Sequence, residues 1–173
     1  MEILASNIGN NNNNRTNNKI LNISVFLNEK CKNAININNF IDSIEVSLQQ
    51  LDTTKTNGIE CGITQIIMDN LSKLSVYERP IHSATKREVI YIKENDEWIK
   101  DENNMKTKKK LITKAQNKHY NALEEWRKAN LDYMSRDDKQ IYYAKAMSMC
   151  GKPIWEGIDT KIIKNISKQI LVS

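Results

Sequence analysis

The sequence has few of the residues that form tight turns, with five glycines and two prolines among 173 residues. A β sandwich joins many short strands through turns rich in these residues, so their scarcity argues against that class. Aromatic residues are also few, at 6%. Lysine, glutamate, leucine and isoleucine are frequent. Because domains typically contain about 100–200 residues, the composition predicts one domain built mainly from long helices.

No apolar run approaches the ~20 residues of a membrane-spanning helix, and residues 1–18 lack the basic start and apolar core of a secretory signal. The cysteines, Cys31, Cys61 and Cys150, are odd in number and far apart, whereas disulfide frameworks are usually even and dense. We therefore predict free thiols, a reducing intracellular compartment and no membrane partner. Each thiol is expected to behave as a small buried hydrophobic group.

The sequence also lacks the local motifs of enzymes and metal proteins. Candidate metal ligands are the three cysteines, His82 and His119, yet none has a paired spacing such as Cys-x-x-Cys. There is no phosphate-binding glycine loop, dinucleotide fingerprint or Gly-x-Ser-x-Gly motif. A Cys–His nucleophile pair stays open, because such partners meet in space rather than in sequence. We expect no catalytic residue, no metal and no cofactor, in a protein that is not an enzyme.

The N-terminal segment differs in composition from the rest of the chain. Residues 1–18 contain the run Asn10–Asn14 and three further asparagines. So little apolar surface cannot offset the entropy lost on ordering. We predict a disordered Asn-rich tail over residues 1–18 and a single helical interaction domain over residues 19–173.

The first apolar segment of that domain alternates in the manner of a strand. Leu21, Ile23, Val25 and Leu27 occupy every second position, which predicts a half-buried strand over residues 20–27. A strand needs a hydrogen-bonding partner, and the chain offers few nearby. These four residues are therefore the candidate self-association surface of a dimer or higher oligomer.

The remaining pattern is mostly helical. Apolar residues recur at helical spacing in five segments: 38–51, 63–74, 105–129, 137–149 and 159–170. Residues 87–100 instead predict a β-hairpin turning at Glu94-Asn95-Asp96. The stretch from Arg79 to His82 is expected to connect helix and strand, with a shaped binding loop as the alternative. The predicted fold class is mainly α with a small β component (α+β).

A lysine-rich stretch lies in the longest predicted helix. No acidic residue separates Met105 from Tyr120, and lysines recur every four residues. Like charges at this spacing repel one another on a helix, and a phosphate backbone would relieve the repulsion. Alternatively, the lysines form a solvated face, or the acids at 96–102 neutralise them within the chain. The candidate contacts for DNA, RNA or an acidic protein are Lys106, Lys109, Lys110, Lys114 and Lys118.

Three stretches together resemble a viral family. They are 22–35 (Asn-Ile-Ser-Val-Phe-Leu-Asn-Glu-Lys-Cys-Lys-Asn-Ala-Ile), 78–82 (Glu-Arg-Pro-Ile-His) and 91–98 (Tyr-Ile-Lys-Glu-Asn-Asp-Glu-Trp). In this order they resemble a domain of large cytoplasmic DNA viruses, the giant viruses, which often follows a C2H2 zinc finger in longer proteins. The resemblance runs from about residue 20 onward. This chain has no zinc finger, and Ser83 stands where many relatives have cysteine.

The resemblance implies a viral protein that acts in the host cytoplasm, in the viral factory or in the virion. It supplies no catalytic residues. Taken with the patterns above, it leads us to expect a non-enzymatic, self-associating interaction or scaffold module, associated with nucleic acid or part of a viral assembly. Direct nucleic-acid binding through the lysine-rich helix is the alternative, and an enzyme of unrecognised type is the second alternative.

Overall fold

The structure, a computed structural model, describes residues 22–84, 89–154 and 157–172. Most of these residues are helical, and three short strands form one antiparallel sheet. The predicted fold class, mainly α with a small β component, is confirmed. The predicted tail over residues 1–18 lies outside the described residues, as does Leu21 of the predicted strand.

The N-terminal half of the domain is a series of helices. Helix α1 (Ile23–Val25) runs into a π-helical turn (Phe26–Lys30), followed by α2 (Ile37–Ser43), α3 (Leu48–Asn57) and α4 (Ile59–Ser72). The backbone of Ile44 is extended, with φ −60° and ψ 124°, and it ends α2. Ser47 then begins α3 through a capping box with Gln50. The prediction of one helix over residues 38–51 is therefore wrong, because these local features divide it.

The predicted strand over residues 20–27 is also wrong where the structure describes it. Asn22 caps a helix, since its Oδ1 accepts hydrogen bonds from the backbone N–H groups of Ser24 (3.1 Å) and Val25 (3.4 Å). Ile23, Val25 and Leu27 therefore lie around a helical segment and share no single face. Leu27 is buried in the core, whereas Val25 is exposed. The expected reason for self-association, a strand without a partner, does not arise here.

The predicted hairpin is confirmed and belongs to a larger sheet. The sheet contains β1 (Ile81–Ser83), β2 (Ile90–Glu94) and β3 (Glu97–Lys100) in that order. The two-residue turn has positive φ angles of 52° at Asn95 and 65° at Asp96, as a type I′ hairpin requires. Asp96 N–H donates to Asn36 Oδ1 over 2.8 Å. This bond fixes the turn against the start of α2.

Strand β1 was not predicted, because it lies in the stretch that was expected to be a connecting loop. Its Ile81 pairs with Ile92 of β2. On its other edge, Ser83 N–H donates to the Ile170 carbonyl over 3.1 Å, and Val172 N–H donates to the Ser83 carbonyl over 2.9 Å. The C-terminal segment therefore extends the sheet through a parallel bridge at Leu171.

The C-terminal half follows the helical prediction closely. It contains a π-helical turn (Thr107–Ile112), α5 (Thr113–Ala129), a 3-10 turn (Leu131–Ser135), α6 (Asp137–Cys150) and α7 (Ile158–Gln169). The helices predicted over 105–129, 137–149 and 159–170 are confirmed, apart from the change of helix type at 107–112. Asp101 begins the first of them, since its carboxylate accepts from the backbone N–H groups of Lys106 and Thr107.

Two apolar clusters hold these elements together. The larger cluster joins α2, α4, the sheet and α7, with Phe40, Ile66 and Ile92 among its buried side chains. The smaller cluster joins α3, α5 and α6 through four residues: Leu51, Leu123, Ala146 and Cys150. Helices α3 and α4 pack closely where Gly62 faces Thr54, since an added Cβ at Gly62 would lie 1.8 Å from Thr54 Oγ1.

Candidate functional site

Cys31 and His82 form a buried pair, although 51 residues separate them in sequence. Cys31 Sγ lies 3.6 Å from His82 Nε2. The imidazole is packed edge-on against Phe26, with ring centroids 5.3 Å apart, and it also interacts with the Val76 backbone. The tautomer of His82 sets which member of the Cys31–His82 pair donates. Trp98 Nε1 donates to the Cys31 carbonyl over 3.4 Å and covers the pair.

This environment keeps both groups uncharged near neutral pH. Burial raises the pKa of the Cys31 thiol to about 11, and the nearby charge of Lys93 offsets only part of that rise. Burial, followed by the charge of Arg79, lowers the pKa of His82 to about 4. Nucleophilic cysteines require a thiolate, which this pair disfavours. The arrangement is that of a structural hydrogen bond between a thiol and an imidazole.

A second Cys–His pair lies in the smaller core. Cys150 Sγ is 3.7 Å from His119 Nε2, and neither residue is exposed. Burial raises the pKa of Cys150 to about 12 and lowers the pKa of His119 to about 4. His119 Nδ1 is buried without a hydrogen-bond partner among the described residues. Both histidines of the chain are therefore neutral core groups, each beside a cysteine.

Metal binding by these groups would require additional ligands. Each pair supplies one sulfur and one nitrogen, whereas a structural zinc takes four ligands. Within the described ranges, no group of three or more His, Cys, Asp or Glu residues is positioned to hold a metal ion. The third cysteine, Cys61, is an exposed free thiol on α4, so the prediction that every thiol is buried is wrong for this residue.

The lysine-rich face is largely engaged in contacts within the chain. Lys106 and Lys110 both form ion pairs with Glu94 of the hairpin. Lys118 Nζ donates to the carbonyls of Asp42 (2.6 Å) and Ile44 (2.9 Å), at the end of α2. A cation at that position is favoured by the partial negative charge of a helix C-terminus. Three of the five candidate nucleic-acid contacts therefore hold the lysine helix to the rest of the domain.

The other two candidate lysines, Lys109 and Lys114, are exposed and have no ion-pair partner among the described residues. Neighbouring Lys108 pairs with Asp159 of α7 over 3.0 Å. The acids expected to neutralise the face, at 96–102, are not the ones that pair with it. Glu94 and Asp159 do so instead, and both have a lowered pKa. Hydrogen bonds from Lys106 and Lys110 are the main cause of the lowered pKa at Glu94.

An apolar surface is exposed where α5 turns into α6. Leu131 is 85% exposed, Met134 is 64% exposed and Ile141 is 54% exposed. We call these three residues the tip surface. Met134 and Ile141 also line a shallow groove of about 500 Å³ with Tyr133 and Tyr143. Sequence reasoning missed this surface, although two large apolar residues in a short polar connection between helices were a usable signal.

Aromatic rings pack against one another beside the tip surface. Trp126 packs against Tyr142 with centroids 4.6 Å apart, and Tyr133 packs against Tyr143 with centroids 5.1 Å apart. The Tyr143 hydroxyl donates to Glu124 Oε1 over 2.8 Å. These contacts hold the end of the helical pair in a defined shape, which favours binding without a large ordering cost.

A cleft lies beside the C-terminal edge of the sheet. Its volume is about 380 Å³, and Phe26, Tyr77, His82 and Leu171 contribute to its walls. Arg79 also lines it and is half-buried. The Arg79 Nε donates to the Leu71 carbonyl over 3.1 Å, and the guanidinium has no carboxylate partner in the part of the chain that the structure describes. We call this feature the C-terminal cleft.

The three described residues of the predicted self-association surface are not brought together on one face. Ile23 is half-buried, Val25 is exposed and Leu27 is in the core.

No described helix combines the length and the apolar character needed to cross a membrane. No model of a known protein family matches the chain, and neither a curated protein nor a solved structure does so.

Proposed function

We propose that this protein is a non-enzymatic interaction module that associates with a second copy of itself through the tip surface. The observation that carries the proposal is the exposure of Leu131, Met134 and Ile141 together on an ordered, aromatic-backed end of the domain. Single exposed apolar residues are common in proteins, but two of these three, Met134 and Ile141, also line a groove, which is typical of an interaction site.

The proposal that the protein is not an enzyme is supported by the state of its reactive groups. Both histidines are buried with a pKa near 4, so neither is poised to exchange protons near neutral pH. The two cysteines beside them are buried thiols with a raised pKa. A cysteine nucleophile needs a thiolate, and a histidine acid or base works best with a pKa near the working pH, so these two pairs suit neither role.

The charge at the tip surface is compatible with a second copy as the partner. The whole chain carries +5, so two copies repel one another unless they meet at a surface with little charge. Between Leu131 and Ile141 there are three acids and two bases, and two ion pairs neutralise most of them: Arg136–Asp138 and Lys139–Asp132. This near-neutral surface offers little attraction to a phosphate backbone. It permits a symmetric contact between two copies.

The test is the mass of the protein in solution. We expect the wild type to form a dimer or higher oligomer at micromolar concentration in sedimentation velocity. Ile141→Asp should give a monomer with an unchanged melting temperature, because the residue lies on the surface. Leu48→Asp is the matched control, since Leu48 is 59% exposed and lies on α3 rather than at the tip. A monomeric wild type would refute the proposal. An equal loss of association in Ile141→Asp and Leu48→Asp would also refute it.

The alternative is binding of nucleic acid or an acidic protein through the free lysines of the lysine-rich face. Lys109 and Lys114 favour it, because both are exposed without an ion-pair partner in the described part. Lys109→Gln with Lys114→Gln should then weaken duplex DNA or RNA binding and reduce its salt slope by about 0.9 for each lost phosphate contact on B-DNA. Lys164→Gln on α7 is the control. No binding by the wild type at low salt would exclude this alternative.

We further propose that the module works in a giant-virus setting, in the infected-cell cytoplasm or the virion. The resemblance of residues 22–35, 78–82 and 91–98 to the giant-virus domain is the support for this part of the proposal. Immunoprecipitation of the protein from infected cells, followed by mass spectrometry, tests it. Recovery of the protein with viral assembly components is the expected result, and its absence from viral factories and virions would contradict the setting.

A further inference from the structure

The edge of the sheet at the C-terminal cleft has backbone groups available for another strand. The parallel bridge to β1 uses the Ile170 carbonyl and the Val172 N–H. The N–H and C=O groups of Leu171, between them, therefore point away from β1, as alternate residues do in a ladder. Among the described residues, neither group has a backbone hydrogen-bond partner. An extended segment could pair with Leu171 at this edge.

The walls of the cleft indicate the kind of segment that fits. Val76 and Tyr77 are exposed apolar residues beside Phe26, whose ring lies 6.2 Å from that of Tyr77. Arg79 adds a half-buried cation without a carboxylate partner in the described ranges. A partly buried guanidinium is well matched to a carboxylate, which it can bind through two hydrogen bonds. The cleft therefore fits an extended apolar segment that contains one acidic residue.

We propose that the occupant is the chain's own segment Met1–Ala5, with Glu2 against Arg79 and Leu4 between the apolar walls. This segment has the composition that the cleft requires, since it combines Met1, Ile3 and Leu4 with a single acid. Side chains at alternate positions of an extended segment point the same way, so Glu2 and Leu4 face the cleft together. Docking then holds Met1–Ala5 at the cleft, and residues 6–21, which include the asparagine-rich stretch, tether this segment to the domain.

The tether starts beside the cleft and is long enough for this return. Phe26, which lines the cleft, lies only four residues after Asn22, where the described chain begins. The sixteen residues 6–21 join Ala5 to that point. A flexible chain of this length spans roughly 20–24 Å. Such a short tether keeps the segment at an effective concentration of about a millimolar, so that a weak docking interaction is still occupied.

Amide hydrogen exchange on the full chain tests the proposal. We expect the amides of residues 2–5 to exchange about tenfold more slowly than those of residues 9–18, because docking protects them. Leu4→Asp should remove this protection and speed exchange at residues 76–77 and 171. Ile8→Asp is the matched control, since it replaces another large aliphatic residue with aspartate outside the docked segment, and it should change neither region.

The charge contact is tested by a double-mutant cycle. Glu2→Gln and Arg79→Gln should each reduce the protection of residues 2–5, and the two changes together should reduce it no further than either one. Fully additive losses would overturn the Glu2–Arg79 contact. Equal exchange across residues 2–18 in the wild type would overturn the docking itself. Protection that falls on dilution would assign the occupant to a second copy and would overturn docking within the same chain.

Discussion

Acidification should destabilise this protein through its two buried histidines. In the folded state burial holds the pKa of His82 and His119 near 4, whereas each has a pKa of 6.5 when unperturbed. The unfolded chain therefore binds more protons than the folded chain as the pH falls below about 6.5. The part of the folding stability that depends on neutral histidines is fully present above this pH. It is lost progressively as the pH falls to about 4.

The size of the loss follows from the two pKa values. At about pH 5, a histidine with an unfolded pKa of 6.5 and a folded pKa of about 4 contributes a loss of about 2 kcal/mol. Two such histidines lower the free energy of unfolding by about 4 kcal/mol, a large share of the 5–15 kcal/mol typical of domains. Carboxylates with a lowered pKa, such as Glu94, add little in this range, because they protonate mainly below about pH 5.

Urea denaturation at several pH values between about 7.5 and 5 measures this loss. We expect His119→Gln to halve the change in unfolding free energy and the double variant with His82→Gln to remove most of it. The comparison uses the pH slope, so a lower baseline stability of a variant does not affect it. NMR provides a direct check, because the chain has only two imidazoles to follow. A flat wild-type profile, or two imidazoles that titrate near 6.5, would refute the reasoning.

Three further predictions concern the packing at Gly62, the ion pairs of Glu94 and the accessibility of the thiols. Gly62→Ala should lower the free energy of unfolding by about 1–3 kcal/mol in urea denaturation, because its Cβ would overlap Thr54. Adding Thr54→Ala should restore only part of the lost free energy of unfolding, since the Cβ of residue 54 would still lie 2.8 Å from the added Cβ. Full restoration would contradict this geometry. Glu94→Gln should lower the free energy of unfolding by about 1 kcal/mol, and by less at high salt, because Lys106 and Lys110 lose their shared carboxylate. An effect that salt leaves unchanged would argue against ion pairing. A thiol reagent should label Cys61 at once and the buried Cys31 and Cys150 only after unfolding; rapid native labelling of either buried thiol would contradict its burial.

The long helices could be predicted because their apolar period persists over several turns. In α4, for example, Ile63, Ile66 and Ile67 fall on one face and are all buried. The segment at 20–27 is too short for its period to decide between strand and helix, and the described part is helical because the Asn22 side chain caps it. Local side-chain hydrogen bonds of this kind compete with a periodic pattern and are difficult to recognise from sequence.

Strand β1 could not be predicted for a different reason. Its three residues are buried on every side, so they show no alternation, and their hydrogen bonds come from β2 and from residues 170–172. The Cys–His pairs are equally non-local, since 51 and 31 residues separate their partners. From the sequence alone such a pair stays open. The spacing of the cysteines and histidines contained no information about which of them would meet.

The contacts of the lysines change what the lysine-rich face can be expected to do. A regular lysine spacing suggested an external phosphate backbone, yet Glu94 pairs with two of these lysines and the end of α2 accepts hydrogen bonds from a third, Lys118. A nucleic acid that used all five lysines would first have to break these contacts, which would subtract from its affinity. The tip surface requires no such exchange, because its apolar side chains are already exposed. Without breaking those contacts a nucleic acid has only Lys109 and Lys114 of the five, so self-association through the tip stands ahead of nucleic-acid binding as the proposed function.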